Sequence, residues 1–329
     1  MTKAKNKAPL RIGAFEPIEK IGQGAMGDIW LCYDHSLDRN LIVKQMKVSL
    51  RNSKVMEERF NREVRVHAKL QHPNIVGIHS YWRESNTTLN IGMEWVNGWN
   101  LEQVLEKCPQ PPLWVCLAII RDILSGLTYA HDRDVIHRDL KPSNIMFGFD
   151  GRVRILDFGI AKDSEQDLTQ GAGIVGTTSF LSPEQAQSLP LSPASDLFSL
   201  GIVVWKMFSG QHPFRHENPE QTVANIIGAN PQGKLSNKIP HNLGQWNRRL
   251  LAKKTKKRPQ NSREVALHID RALSAYPRDL SPWLANWIYD LRKGDNSKIQ
   301  VPRASFKRFW LTLFLGFIIG ASAYFLWSL

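Results

Sequence analysis

The sequence predicts an α+β fold of two lobes, in which a small β-rich half precedes a larger helical half. Residues 15–47 contain three short apolar stretches separated by turns, which is typical of strands. From residue 97 onward, apolar residues recur mostly at helical spacing, with prolines between the helices. Strands grouped before helices favour an α+β architecture. Because ligands often bind in the cleft between two lobes, we expect the functional site there.

The elements of the first half can be placed individually. A helix over residues 54–70 is favoured by Val55, Phe60 and Val64, which recur at helical spacing, and the His72-Pro73 pair follows its end. The remaining apolar stretches of this half are short and bounded by turn residues. The predicted strands are 15–21, 28–33, 41–48, 75–81 and 88–95.

Composition excludes several classes of protein. The chain has 329 residues, of which 42% are hydrophobic and 22% charged, so disordered and collagen-like chains are excluded. Three cysteines without CxxC spacing disfavour a disulfide framework or a zinc site and favour a reducing compartment. The net charge is +13, which by itself would be compatible with binding to nucleic acid. However, the sequence does not alternate aromatic and basic residues in the pattern typical of nucleic-acid-binding proteins. We therefore expect no nucleic-acid partner.

Residues 309–329 carry no charged side chain. A helix of this length spans about 30 Å, the thickness of a bilayer core, and basic residues precede it at 303–308. We therefore predict a single C-terminal transmembrane helix, with the preceding chain cytoplasmic and nothing folded beyond the span. The alternative is a buried helix of a soluble domain. Gly316 and Gly320 form a GxxxG pair that favours a possible homodimer.

A glycine-rich stretch occupies residues 21–30, which read IGQGAMGDIW. Gly22, Gly24 and Gly27 allow backbone N–H groups to approach phosphate oxygens closely. A dinucleotide site would need a helix directly afterwards, whereas a strand is predicted here. The pattern therefore favours a glycine-rich flap over nucleotide phosphates.

Charged residues suited to phosphoryl transfer follow in a fixed order. Lys44 lies in an apolar strand, where burial of its charged ammonium group costs free energy unless an acidic partner is present. Glu63 lies on the next predicted helix. Residues 137–144 read HRDLKPSN and residues 157–159 read DFG. These motifs supply a carboxylate for the hydroxyl proton and oxygen ligands for a metal ion.

In this order the motifs resemble those of eukaryotic-like (Hanks-type) serine/threonine protein kinases. The segments DFGIAK and HPNIV resemble the bacterial transmembrane members in particular. The resemblance implies the two-lobed protein kinase fold, with an N-terminal lobe over residues 15–96 and a C-terminal lobe over 97–273. A tail would precede this domain at 1–14, and a juxtamembrane segment would follow at 274–308.

The resemblance also implies the roles of single residues. Asp139 and Lys141 would be catalytic, and Asn144 and Asp157 would bind Mg²⁺ or Mn²⁺. ATP would lie beneath the glycine-rich flap and against the hinge between the lobes. The residues expected to bind ATP are Ile21, Gly22, Gln23, Gly24, Ala25, Met26, Gly27, Ile29, Lys44, Glu63, Met93, Glu94 and Val96.

The activation segment implied by the resemblance runs from 157 to 184. Thr177 would complete the catalytic loop, Glu184 would pair with Arg258, and Asp196 would brace the loop from a buried helix. The candidate phosphorylation sites are Ser164, Thr169, Thr178 and Ser179.

We therefore expect a membrane-anchored kinase that phosphorylates serine and threonine in proteins. The family usually has alanine where Ile42 stands, and this larger side chain would narrow the adenine pocket. The alternative is a membrane-anchored pseudokinase scaffold.

A short amphipathic helix is predicted after the kinase-like region. Ser281-Pro282 is typical of a helix start, and Trp283, Leu284 and Trp287 then share one face. This face could dock on the C-terminal lobe or lie in the membrane interface, where tryptophan is favoured.

Overall fold

The computed structural model describes most of the two predicted lobes. The described residues are 11–24, 27–47, 61, 64–85, 88–158, 178–233, 235 and 239–294. Within these ranges, a five-stranded antiparallel sheet precedes a mainly helical part. The two-lobed α+β architecture is therefore confirmed, whereas the predicted transmembrane residues 309–329 lie outside the described residues.

The N-terminal sheet is formed by the strands that the apolar stretches predicted. Its strand order is β1-β2-β3-β5-β4. Successive residues of β3 point to opposite faces, since Leu41 and Val43 pack with Ile12 while Ile42 packs with Met93. The strands are β1 (Glu16–Gly24), β2 (Gly27–Asp34), β3 (Arg39–Lys47), β4 (Ile78–Ser85) and β5 (Thr88–Glu94).

The predicted helix 54–70 is only partly within the described residues. Residue 61 and residues 64–67 are helical, and Val64 packs on the inner face of the sheet. Residues 54–60 and Glu63 lie outside the described part of the chain.

The C-terminal lobe is built around two apolar helices, Leu113–His131 and Pro193–Ser209, whose side chains are buried along most of their length. Four of the shorter helices, at 101–107, 241–250, 262–272 and 281–293, each contribute one apolar face to the same core. The helices are α1 (Leu101–Lys107), α2 (Leu113–His131), α3 (Pro183–Ala186), α4 (Pro193–Ser209), α5 (Pro219–Gly228), α6 (His241–Leu250), α7 (Ser262–Ala272) and α8 (Ser281–Lys293).

Among the described residues, α2 alone has the length and apolar character of a membrane-crossing helix, and two thirds of that stretch is buried. Its side chains pack in the main core of the lobe, as those of a central helix in a globular domain do.

A second, small sheet was not predicted from the sequence. It joins β6 (Gly98–Asn100), β7 (Ile145–Gly148) and β8 (Val153–Ile155) in that order. Strands of three or four residues are too short to show an alternating pattern. The predicted strand 75–81 begins later than expected, at Ile78, because Ile75 instead bridges to Ile155 of this second sheet.

Helix α8 packs on the C-terminal lobe rather than facing away from it. Leu284 and Ile288 are fully buried, and Trp287 and Leu291 are nearly so. All four join the main core of the lobe. Of the two positions left open for this helix, the structure shows docking on the lobe.

A buried ion pair joins helix α3 to the chain before α7. Both amino groups of the Arg258 guanidinium donate to Glu184, at 2.7 and 2.8 Å, and the two side chains are almost fully buried. The remaining donors of Arg258 bind the backbone oxygens of Ala194, Ala252 and Lys253. Every polar group of this cation is thus satisfied, as burial of a charge requires.

The ion pair makes stability depend on pH in a defined direction. Burial by itself would raise the pKa of Glu184, but hydrogen bonds from Arg258 and Ser195 and the charge of Arg258 hold it below its ordinary 4.5. A carboxyl group whose pKa is lowered by folding stabilises the protein above its unfolded pKa. This contribution is therefore present near pH 7 and is lost as the pH falls below about 4.5.

We predict that Arg258→Met lowers the free energy of unfolding by about 3–5 kcal/mol, because it leaves a buried carboxylate without its partner. Urea denaturation of the full chain in detergent at pH 7 measures the effect. Below pH 4.5 the difference from the unsubstituted protein should shrink, since protonated Glu184 no longer requires a cation.

The matched control is Arg263→Met. Arg263 also pairs with a carboxylate, Asp132, at 2.6 Å, but both side chains are exposed. An exposed pair contributes at most about 1 kcal/mol. Equal midpoints for Arg258→Met and the unsubstituted chain at pH 7 would contradict the prediction.

Candidate active site

The catalytic-type loop is anchored by the carboxylate of Asp196, which lies on buried helix α4. Its Oδ2 accepts from the backbone N–H of His137 at 2.8 Å, and its Oδ1 accepts from that of Arg138 at 2.9 Å. Arg138 has a left-handed backbone, with φ of 66°. Such a conformation is costly outside glycine, so these hydrogen bonds hold the loop in a shape it would not adopt alone.

His131, at the end of α2, completes the support of Asp196. Its Nε2 donates to Asp196 Oδ2 at 2.7 Å, and its Nδ1 lies 2.9 Å from the Ser262 hydroxyl. Burial by itself would raise the pKa of Asp196, but the hydrogen bond and charge of His131 lower it, as does His137. The buried group is therefore a carboxylate that keeps its acceptor oxygens directed at the loop.

His137 is occupied by structural hydrogen bonds. Its Nε2 donates to the backbone oxygen of Leu156 at 2.7 Å, and its Nδ1 accepts from the backbone N–H of Asp139 at 3.2 Å. Its ring also packs edge-on against Phe158, with centroids 4.7 Å apart. Both ring nitrogens are thus used in joining the HRD and DFG segments.

Asp139, Lys141 and Asn144 lie together. The amide nitrogen of Asn144 donates to the backbone oxygen of Asp139 at 2.8 Å and to its Oδ2 at 3.1 Å. The ammonium group of Lys141 lies 3.1 Å from the same Oδ2. Because the amide nitrogen of Asn144 faces Asp139, its carbonyl oxygen is the atom available to a cation.

Lys44 and Asp157 connect the two lobes across the cleft. Lys44 Nζ donates to Asp157 Oδ2 at 2.9 Å. Burial by itself would raise the pKa of Asp157, but the charge and hydrogen bond of Lys44 hold it below its ordinary value. The expected partner of Lys44, Glu63, lies outside the described residues, so that pairing stays a prediction.

The second oxygen of Asp157 fits a metal ion. Asp157 Oδ1 is buried and has no hydrogen-bond partner among the residues that the structure describes. The backbone of Asp157 is left-handed, with φ of 49°. Mg²⁺ is usually bound by one or two protein oxygens together with phosphate oxygens. Asp157 and Asn144 are suited to that role, and no cluster of three or more metal-binding side chains occurs among the described residues.

An apolar cluster spans the two lobes where the adenine ring is expected. Ile42, Met93 and Val96 belong to it, and Met146 and Leu156 pack against it from the C-terminal lobe. Ile42 lies opposite Met93 in the pairing of β3 and β5, so its larger side chain does fill space in this cluster.

The hinge and the glycine-rich turn frame the same region. Glu94 is held by Arg154, whose Nε lies 3.3 Å from Glu94 Oε1. Gly27 has φ of 145°, and a Cβ there would lie 1.9 Å from the backbone oxygen of Gln45. Only glycine fits this close approach of β2 to β3. Ala25 and Met26, at the tip of the turn, lie outside the described residues.

The end of the activation-type segment is anchored beside the loop. Residues 178–180 form a short 3-10 helix. His212 Nε2 donates to the backbone oxygen of Ser179 at 2.9 Å, and the Ser199 hydroxyl donates to that of Phe180 at 2.8 Å. The Gln185 amide donates to the backbone oxygen of Arg138 at 2.6 Å. Ser164, Thr169 and Thr177 lie outside the described residues.

Comparison with known families agrees with this geometry. A family model described as "Protein kinase domain" matches residues 15–269, which is most of the chain. The chain belongs to the protein kinase family. The family predicted from the HRD, DFG and glycine-rich motifs is therefore confirmed.

Several curated bacterial proteins resemble this protein kinase. It is 34% identical over 274 residues to serine/threonine-protein kinase pkn2 of Myxococcus xanthus, covering 80% of this chain and 33% of that protein. It is 36% identical over 228 residues to serine/threonine-protein kinase PknA of Mycobacterium tuberculosis, covering 68% of this chain and 53% of that protein. The chain spans about a third of the length of the first relatives it matches.

Some residues of this kinase site were not found by sequence reasoning. Asp196 was predicted to brace the loop, but its partner His131, 65 residues away, was not, and neither was His212, which binds Ser179 from 33 residues away. No local pattern in the sequence joins either pair. The buried ring of His67 packs near Phe158, and burial lowers its pKa to about 4, which keeps it neutral. The sequence pattern that could have indicated these residues is a polar side chain among apolar neighbours. This pattern is too common in protein cores to identify a functional site.

We predict that Asp196→Asn loosens the loop in this kinase, because one acceptor oxygen becomes an NH₂ group that faces N–H donors. A buried polar mismatch costs about 1–3 kcal/mol, so amide hydrogen exchange across residues 137–139 should quicken about tenfold or more. Hydrogen–deuterium exchange with mass spectrometry measures this.

Asp132→Asn is the control, since Asp132 adjoins His131 but pairs with Arg263 at the surface. Exchange in 137–139 should not change in this variant. If residues 137–139 exchanged as slowly in Asp196→Asn as in the unsubstituted chain, the loop would not depend on this carboxylate.

Proposed function

We propose that this chain is a serine/threonine protein kinase that transfers the γ-phosphate of ATP to hydroxyl groups of proteins. The observation that carries the proposal is the convergence of two groups in one cleft. Asp139 is hydrogen-bonded to Asn144 on one side, and Asp157 is paired with Lys44 on the other. Similarity to curated bacterial serine/threonine kinases supports the same reaction.

Asp139 and Lys141 would act at the acceptor hydroxyl. The carboxylate of Asp139 would orient this hydroxyl and accept its proton as the new bond to phosphorus forms. Lys141 lies 3.1 Å from that carboxylate and is thus placed to balance negative charge on the transferred group. Hydrogen bonds from Asn144 hold Asp139 in this orientation before any substrate binds.

Asn144 and Asp157 would hold Mg²⁺ or Mn²⁺. When bound, the ion would neutralise charge on the phosphate oxygens. The buried Asp157 Oδ1, which has no partner in the described part of the chain, supports this assignment. Lys44 fixes the other oxygen of Asp157 and would also approach the nucleotide phosphates.

The remaining nucleotide contacts come from both lobes. The adenine ring would lie in the apolar cluster of Ile42, Met93 and Met146, beside the hinge at Glu94 and Val96. Ile21 to Gly27 and Ile29 would cover the phosphates, and Glu63 would orient Lys44. Because phosphoryl transfer depends on holding the reactants in place, these contacts supply position rather than covalent chemistry.

The specificity for serine and threonine rests on the loop and the activation segment. Lys141 and Thr177 fit the serine/threonine class, and the anchored stretch 178–181 would form part of a peptide-binding surface. Phosphorylation within 164–179 would order the segment by adding charge that pairs with arginine. The protein substrates would then be other chains and a second copy of this one.

We predict that Asp139→Asn lowers protein phosphorylation at least about 100-fold, because the group that accepts the hydroxyl proton is lost. The measurement is ³²P transfer from Mg-ATP to a generic basic protein by the full chain in detergent. Mass spectrometry of the kinase itself should find new phosphate on at least one of Ser164, Thr169, Thr178 and Ser179.

Asp134→Asn is the matched control. Asp134 lies near the same loop but is exposed, and its φ of 59° is one that asparagine tolerates. It should retain full activity. An unsubstituted chain that binds nucleotide but transfers no phosphate would contradict the proposal and favour the pseudokinase scaffold.

We also propose that residues 309–329 anchor the kinase in a membrane, with residues 1–308 on the cytoplasmic side. The uncharged length and the preceding basic residues support this. In this arrangement the kinase domain is 15–273 and the juxtamembrane segment is 274–308, whose helix α8 packs on the domain. The homodimer through Gly316 and Gly320 stays a prediction.

We predict that removal of residues 309–329 transfers the kinase from the membrane pellet to the supernatant, because the other long apolar helix, α2, is buried in the core. Fractionation after a carbonate wash measures this. A Gly316→Leu and Gly320→Leu variant keeps the apolar length and should stay in the pellet. A truncated chain that also stays there would contradict the anchor.

A further inference from the structure

Helix α8 lies beyond the part of the chain that matches the family, which ends at residue 269. It is nonetheless held firmly, because Leu284, Trp287, Ile288 and Leu291 are buried in the main core. Removing such apolar side chains from water stabilises the docked position of the helix. Helix α8 therefore adds a further layer of buried side chains to the core of the C-terminal lobe.

The surface beneath α8 includes the hairpin of β7 and β8. The rings of Trp287 and Phe147 lie 5.8 Å apart, and the Arg292 guanidinium lies 4.9 Å from the ring centre of Phe149. At the turn of the hairpin, a Cβ on Gly151 would lie 1.9 Å from the backbone oxygen of Ser281. The first turn of α8 and the hairpin turn are thus in backbone contact.

This hairpin joins the two proposed metal-binding residues. Asn144 directly precedes β7, and Asp157 follows two residues after the end of β8. Side chains alternate along β7, so Phe147 faces the core beneath α8 while Met146 packs in the cluster that lines the nucleotide cleft. Phe147 beneath α8 and Met146 at the cleft are thus adjacent residues of a single short strand.

The hairpin needs such support from outside. Its strands have four and three residues, and short hairpins are marginal without packing against other elements. Helix α2 supports β8, where Asp122 Oδ2 accepts from the backbone N–H of Val153 at 3.3 Å. Strand β6 pairs with the other edge of β7, and helix α8 packs on Phe147 of β7 and on the turn.

We propose that α8, through Trp287 and the turn at Gly151, positions Asn144 and Asp157 for the metal ion. Trp287 is a positioning residue, since it acts through Phe147 and touches neither substrate nor metal. The inference rests on the proposed metal-dependent function of the cleft. It assigns to this added helix a role in nucleotide binding in addition to its contribution to stability.

Calorimetric binding of ADP to the full chain in detergent, with Mg²⁺ and with EDTA, tests the proposal without any phosphoryl transfer. The gain in ADP affinity that Mg²⁺ brings is the quantity to compare. Groups that orient metal ligands typically change metal affinity about tenfold or more, so Trp287→Ala should lower this gain about tenfold. Trp287→Phe keeps a ring against Phe147 and should restore most of it.

Two controls separate positioning from general stability. Tyr289→Ala changes the exposed side of α8 and should leave the gain unchanged. Gly151→Ala displaces the first turn of α8 and should lower the gain, even if Trp287→Ala does not fold. Gly210→Ala adds strain at a nearly identical φ of 75° at the end of α4, where the nearest side chain is Gln110, and should not lower the gain.

The outcomes distinguish this inference from the proposed function. If α8 has a purely structural role, Trp287→Ala and Gly151→Ala should lower the melting temperature but leave the gain in ADP affinity from Mg²⁺ as in the unsubstituted chain. That result would overturn the inference. No gain from Mg²⁺ in the unsubstituted chain would instead overturn the metal assignment on which both proposals depend. A reduced gain in both variants, with the controls unaffected, would support the inference.

Discussion

The loop at the cleft between the lobes depends on one buried carboxylate that accepts hydrogen bonds from two successive backbone N–H groups. Asp196 holds His137 and the left-handed Arg138 in a loop that would not keep this shape in water. The helix that carries it is buried and begins with a proline at its first position, so the carboxylate is fixed relative to the core. This carboxylate remains charged although it is buried, because the hydrogen bond from His131 compensates for the loss of water.

Further side chains of the cleft each connect two segments, and together they link the loop held by Asp196 to the rest of the structure. His137 joins the loop to Leu156, and Asn144 joins the next turn to Asp139. Lys44 then carries the connection into the N-terminal sheet by pairing with Asp157. The lobes are also joined by backbone hydrogen bonds, since the N–H of Val76 donates to Ile155 at 2.9 Å. The cleft is therefore formed by links that run from one lobe to the other, and each link is short.

Much of the fold and of the site could be predicted because its signals are local. The five strands have seven to nine residues and are recognised as apolar stretches bounded by turn residues. The HRD, DFG and glycine-rich motifs place chemically specific residues at fixed spacing. The second sheet could not be predicted, since its strands have three or four residues. The support of Asp196 by His131 could not be predicted either, because it joins residues 65 apart and any buried histidine has the same appearance in sequence. The two positions considered for α8 differ only in what covers its apolar face, which an amphipathic pattern does not specify.

The docking of α8 also determines where the chain can be truncated without exposing its core. A fragment that stopped where the family match ends would lack α8 and leave Phe147 and the neighbouring core surface more open to water. Exposed apolar patches of this kind promote association between chains. In this protein the unit that can be excised with its core intact therefore extends to about Gly294. A shorter fragment used for domain fusion would have to regain that helix.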